Sequence, residues 1–111
     1  MPQVPGAAGA DADEYPGFLA LFDVLGRRWA LRIVWELRDD AMTYRDLAAR
    51  APEMSTSVLT QRLRELRAAG LVEHARGTGY RLTPLGRQLW SHLEGLRDWA
   101  ERAGFAAGSD A

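Results

Sequence analysis

One run constrains this chain more than any other: SVLTQRLRELRAAGLVEHARGTGYRLTPLG, Ser57 to Gly86. It packs an arginine-studded amphipathic stretch, a glycine stop, two β-prone pieces and a fresh helix start into a single passage. Leu59, Leu63 and Leu66 fall at i, i+4 and i+7, the spacing of one helical face. Ser55 is the expected N-cap of that helix, which runs to Ala69 and stops at Gly70. Leu71 and Val72, then Tyr80 and Leu82, read as two short strands. Arg76-Gly77-Thr78-Gly79 joins them, its glycines supplying the positive φ of a tight hairpin. Thr83-Pro84 then opens a helix, a capping hydroxyl followed by a proline at the first helical position.

Upstream, Phe18, Leu19, Leu21, Phe22 and Leu25 sit at helical spacing, closed by Gly26 as a left-handed cap. Arg28 to Arg38 reads as a second helix, with Ala30, Ile33, Val34 and Leu37 inward and Arg28, Arg32 and Glu36 outside or on its flank. Thr43 caps a short helix, Tyr44 to Arg50, which Pro52 prevents from continuing. Downstream, Leu85, Leu89, Leu93, Leu96, Ala100 and Ala103 form the stripe of what is expected to be the longest helix.

A chain of 111 residues is expected to hold one domain with one core. Residues 1–14 carry almost nothing to bury and read as a disordered arm, 15–107 as the folded domain, and 108–111 as a flexible C-terminus. The absence of cysteine excludes disulfides, thiolate metal sites and thiol redox chemistry within the chain. His74 and His92 lie far apart, so neither a metal site nor a cofactor is expected. No apolar run is long enough to span a membrane, and the first residues lack a signal-peptide pattern; a cytoplasmic protein is expected. There is no phosphate-binding glycine loop, no nucleophile elbow and no catalytic pair of carboxylates or histidines, so the chain is not read as an enzyme. Asp39-Asp40 reads as a loop, and Glu94, Asp98 and Glu101 as an exposed charged face.

Charge distribution says more than the formal net charge of -1. Residues 1–26 hold four acids and no base, whereas residues 55–82 hold five arginines against two glutamates. The order helix, helix, short helix, helix, hairpin, long helix is that of a winged helix-turn-helix: mainly α, with a small β-hairpin and an additional long C-terminal dimerisation helix. Its purpose is geometric, because a major groove admits one α-helix whose inner face is buried and whose outer face is free. Opposite Leu59, Leu63 and Leu66 lie Ser57, Gln61 and Arg64, with Thr60 and Glu65 at the margins and Thr56 in the first turn. Gln pairs two-fold with adenine and Arg with guanine, while Ser and Thr reach bases or phosphates. Arg62 and Arg67 lie nearer the core edge, suited to phosphate contact or salt bridges. Arg76 and Thr78 at the hairpin tip and Arg81 in its second strand stand where a wing meets sugar-phosphate.

The stretches VLGRRWALRIVWEL, MTYRDLAARAPEMSTSVLTQRLRELRAAGLVE and YRLTPLGRQLWSHLEGLRDWAE resemble the HxlR-type winged-helix transcriptional regulators, a branch close to the MarR-type regulators. The resemblance covers about residues 18–101 and rests on the joint spacing of LTQRLREL, AGLVE and YRLTPLG. It implies a homodimeric bacterial regulator that binds double-stranded DNA, its Ser55–Ala69 helix in the major groove and its hairpin on the minor groove or backbone. The chain departs from the family in two places. Where many relatives carry a cysteine before the first helix, some as sensors, it reads DEYPGF, so a cysteine-based sensor is excluded. The segment HARGTG is shorter than the usual wing.

The dimer interface is expected to comprise Phe18 and Phe22 of the first helix with Leu89, Trp90, Leu93, Leu96 and Trp99 of the last, facing a second copy. A two-fold dimer calls for an inverted-repeat operator. Trp29, Trp35, Trp90 and Trp99 read either as core and interface packing or as a cleft for a small aromatic effector. Two functional readings stand at this level: a sequence-specific DNA-binding regulator, or a winged-helix protein–protein module that turns its basic face to an acidic partner.

Overall fold

The computed structural model of the chain describes residues 15–106; the expected arm at 1–14 and C-terminus at 108–111 lie outside them. Helix α1 (Pro16–Leu25) begins on its proline and has no side-chain cap and no buried residue. Gly26 was expected to be left-handed, but it is right-handed, at φ -76°. What it supplies is room, since a Cβ there would lie 2.7 Å from the Phe22 carbonyl oxygen. The positive φ falls on Trp29 (φ 76°), whose indole packs against the core. That reversal delays α2 (Ala30–Glu36) by two residues relative to the expected start at Arg28. The helix also ends at Glu36, because Leu37, its C-cap, leaves helical geometry while its side chain stays in the core.

The following helices form where their caps are. Thr43 accepts the Asp46 N–H at the start of α3 (Tyr44–Arg50), and Ser55 accepts that of Val58 at the start of α4 (Thr56–Ala68). Strands β1 (Val72–Ala75) and β2 (Gly79–Leu82) pair antiparallel, Val72 opposite Leu82 and His74 opposite Tyr80. Leu71, expected in the first strand, lies just outside it: its N–H returns to the Leu66 carbonyl and closes the helix end. The hairpin has a further partner that sequence periodicity did not reveal, a bridge between Met42 and Tyr80 that exchanges both backbone hydrogen bonds. It pins the loop before α3 to the wing.

One core joins these elements, with Ile33, Val34, Leu37, Leu47, Leu59, Leu63, Leu66, Val72 and Leu82 all buried. Outside it, the Glu36 side chain, only 8% exposed, takes Arg32 at 2.9 Å and Arg50 at 3.4 Å. The first pair lies within α2; the second, with the bond from the Arg32 guanidinium to the Arg50 carbonyl at 2.8 Å, ties α2 to α3. Helix α5 (Pro84–Ala103) starts at Thr83, which accepts the Gly86 N–H and donates to the Gly70 carbonyl at 2.6 Å. Gly86 is the one buried residue of α5, and its backbone presses on the Leu71 carbonyl so closely that any Cβ would collide. Beyond that anchor the helix rests on the core through the partly buried Leu89, Trp90 and Leu93. Of its stripe, Leu89, Leu93 and Ala100 are half-buried, while Leu85, Leu96 and Ala103 are exposed.

Candidate nucleic-acid interface

Helix α4 buries Leu59, Leu63 and Leu66, so its opposite side must face solvent. Thr56, Ser57, Thr60, Gln61, Arg64 and Arg67 are all exposed there. The segment α3, turn, α4 is the helix-turn-helix itself, and one tyrosine bolts it together. The Tyr44 hydroxyl lies 3.0 Å from the Thr60 hydroxyl and donates to the Thr56 carbonyl at 3.0 Å. Tyr44 was not singled out in the sequence, because a partner sixteen residues away leaves no local signal.

The polar side chains of α4 form a chain of their own. The Gln61 amide donates to Glu65 at 2.9 Å and accepts from the Arg64 guanidinium at 3.0 Å. Glu65 also takes Arg62 at 2.9 Å. The hydrogen bond from Gln61, with the Arg62 and Arg27 charges adding to it, holds the Glu65 carboxyl below the usual carboxylate range against some desolvation. Arg62, expected among the DNA contacts, is committed inside the molecule: its side chain is 16% exposed and its Nε donates to the Arg28 carbonyl at 3.0 Å.

On the wing, Arg76 is exposed at the turn and makes no side-chain hydrogen bond or salt bridge with the described residues. Thr78 folds back on the Ala75 carbonyl at 3.3 Å, and Arg81 pairs with Glu73 across the strands at 2.7 Å. Between α4 and β1 lies an open hollow of about 430 Å³ lined by Arg64, Arg67, Ala68, Val72, Glu73 and His74. Its two guanidiniums suit a phosphate. His74, stacked on Tyr80 at 4.5 Å, and Glu73 are residues of this hollow that helical periodicity did not point to, since both come from the strand.

Helices α1 and α5 present an apolar surface. Phe18 and Phe22 stack at 4.7 Å, and Phe18, Leu96 and Trp99 are 50%, 54% and 51% exposed. A groove of about 260 Å³ runs between α1 and α5 along Phe18, Leu21, Phe22, Leu25, Leu93 and Leu96. Trp90 meets Trp35 edge-on at 5.6 Å, and the Arg38 guanidinium stacks 3.7 Å over Trp35. That contact packs α2 on α5. Among the described residues no helix is long and apolar enough to cross a membrane, and no cluster of three metal-ligating side chains occurs.

The model of the HxlR-like helix-turn-helix family matches residues 24–106, which takes in the turn after α1, the helix-turn-helix, the wing and α5. The chain belongs to the HxlR-like helix-turn-helix family. It is similar to the HTH-type transcriptional regulator YvaP of Bacillus subtilis, at 32% identity over 91 residues, covering 77% of this chain and 84% of YvaP. The quinone-bound structure of YodB from B. subtilis superposes with a TM-score of 0.73 at 29% identity, over 78% of this chain and 98% of that one. An HxlR family factor from Thermoplasma volcanium superposes at 0.67 with 25% identity, over 75% and 80% of the two chains. The HxlR-type chain is accordingly a transcriptional regulator with a winged helix-turn-helix fold, in which α4 is the second helix of the helix-turn-helix.

Proposed function

We propose that this HxlR-type regulator binds DNA in the cytoplasm as a homodimer, reading an inverted repeat with α4 and touching the backbone with its wing. The observation that carries the reading is the exposed run Ser57, Gln61 and Arg64, directly opposite the buried Leu59, Leu63 and Leu66. Gln61 and Arg64 read bases; Thr56, Thr60, Arg67, Arg76, Thr78 and Arg81 position the helix on phosphate. Arg62 supports the helix from behind. The apolar face of α1 and α5, with Phe18, Phe22, Leu89, Trp90, Leu93, Leu96 and Trp99, is the seam between two copies, because this much exposed apolar surface is uncommon on a monomer. A two-fold axis there sets the two α4 helices about one DNA turn apart, ~34 Å.

A small aromatic ligand acts as effector in this scheme. The hollow that suits it is not the cleft of tryptophans the sequence suggested: about 550 Å³, it is lined by Ala20, Leu21, Val24, Leu71, Leu85, Leu89, Gln88 and His92 among others and by none of Trp29, Trp35, Trp90 and Trp99. It lies where α1 and α5 meet the end of α4, and YodB is a relative with a quinone-bound structure. With no cysteine in the chain, such a ligand is held without a thiol bond. Saturable binding of a small quinone by calorimetry, abolished by Ala20→Trp, which fills the hollow, checks this part.

Fluorescence anisotropy of the protein against duplexes from the region beside its own gene, at two salt concentrations, tests the main reading. Tight, salt-sensitive binding to one duplex supports it. Weak and equal binding to all of them overturns it and redirects the basic face to an acidic protein partner.

A further inference from the structure

A glutamine reads adenine with both ends of its amide, so it must present the carbonyl and the amino group in one of two opposite orientations. In this chain neighbours fix that choice. Glu65 can only accept and Arg64 can only donate, so a single orientation of the Gln61 amide satisfies both. Glu65 is the sole carboxylate of α4, a charge that would repel phosphate if left alone. Arg62 neutralises it at 2.9 Å and is itself tied to the Arg28 carbonyl, thirty-four residues away in the turn between α1 and α2. That turn is itself seated on the core through the left-handed Trp29.

We propose that Glu65 and Arg62 are positioning residues for specificity: they set the edge that Gln61 shows to its base pair and anchor it to the turn at Gly26–Trp29. Neither needs to touch DNA. The assignment rests on α4 being the reading helix, and it makes discrimination at one base pair separable from overall affinity. Glu65 therefore acts through Gln61 alone at that position, and removing its charge leaves binding to unrelated DNA as tight or tighter.

The test is a base-by-base affinity profile on the preferred duplex for the full chain, for Glu65→Gln and Glu65→Ala, and for Arg62→Ala, each also in a Gln61→Ala background. The base pair lost in Gln61→Ala defines the Gln61 position. Each variant is expected to lose discrimination there about fivefold or more, while in the Gln61→Ala background the same change alters it by less than about twofold. Thermal melting of every variant separates loss of fold from loss of reading. Glu65→Gln, the most conservative change, is expected to keep its melting temperature and still lose discrimination, because its one acceptor oxygen goes to the charged Arg62 and leaves the Gln61 amino group free. An unchanged profile in Glu65→Gln overturns the assignment, as does an equal loss with and without Gln61. If the unaltered protein prefers no duplex, the DNA-reading proposal falls and this one with it; a clear preference with an unaltered Glu65→Gln profile removes this one only.

Discussion

At the scale of single residues, the two classes of DNA contact are expected to fail differently. Gln61→Ala and Arg64→Ala each remove discrimination at one base pair, worth about 1–3 kcal/mol, read as a change in relative affinity for duplexes altered at that pair. Arg76→Ala instead weakens binding to all duplexes alike and lowers the salt slope by about one. Gly86→Ala touches no DNA, yet its Cβ meets the Leu71 carbonyl. Because that oxygen belongs to backbone that also accepts the Thr83 N–H, it cannot simply move aside, and a loss of about 1–3 kcal/mol is expected in denaturant melts. The sequence disclosed Gln61 and Arg64, since their exposure follows from the burial of Leu59 and Leu63 by helical geometry. It left a salt bridge open for Arg62, which Glu65 takes, but it did not disclose the Arg62 tie to the Arg28 carbonyl or the use of Tyr44: both depend on groups brought close only by the tertiary fold.

At the scale of elements, the caps decided what was legible. Thr43, Ser55 and Thr83 each accept the N–H three residues on, so α3, α4 and α5 start where their hydroxyls stand in the sequence. Ser55→Ala is expected to cost about 1 kcal/mol, seen as a lower melting temperature. It removes the Val58 cap and the 3.3 Å contact to the Ser57 hydroxyl, while Gln61 and Arg64 keep their partners. The turn between α1 and α2 was misread for a physical reason. Glycine is the usual left-handed residue, but here burial of the Trp29 indole outweighs the backbone strain of a positive φ, and Gly26 serves close packing instead. The bridge from Met42 to Tyr80 was equally hidden, because one pair of backbone bonds needs no alternating pattern. It ties the wing to the loop before α3.

At the scale of the whole molecule, α1 has no buried residue and α5 has only Gly86. Two helices that rest on the core only through half-buried side chains such as Val24, Leu25, Leu89, Trp90 and Leu93 fit the proposed seam between two copies, as most helical stability in water comes from tertiary contact. Leu96→Asp and Trp99→Asp together are therefore expected to shift the protein from dimer to monomer by sedimentation at micromolar concentration while the core of α2, α3 and α4 still melts cooperatively. A monomeric wild-type chain under the same conditions contradicts the seam. The stripe itself was legible from the leucine spacing, but the division of its residues between own core and partner was not, since periodicity marks an apolar face without saying what covers it.

The central claim, two copies placing two α4 helices on one operator, is tested most directly by hydroxyl-radical footprinting of the preferred duplex. The account predicts two protected patches related by a two-fold axis, centred about one helical turn apart, with both lost together in the Leu96→Asp, Trp99→Asp variant. A single protected patch, or a pair that persists in that variant, would contradict it.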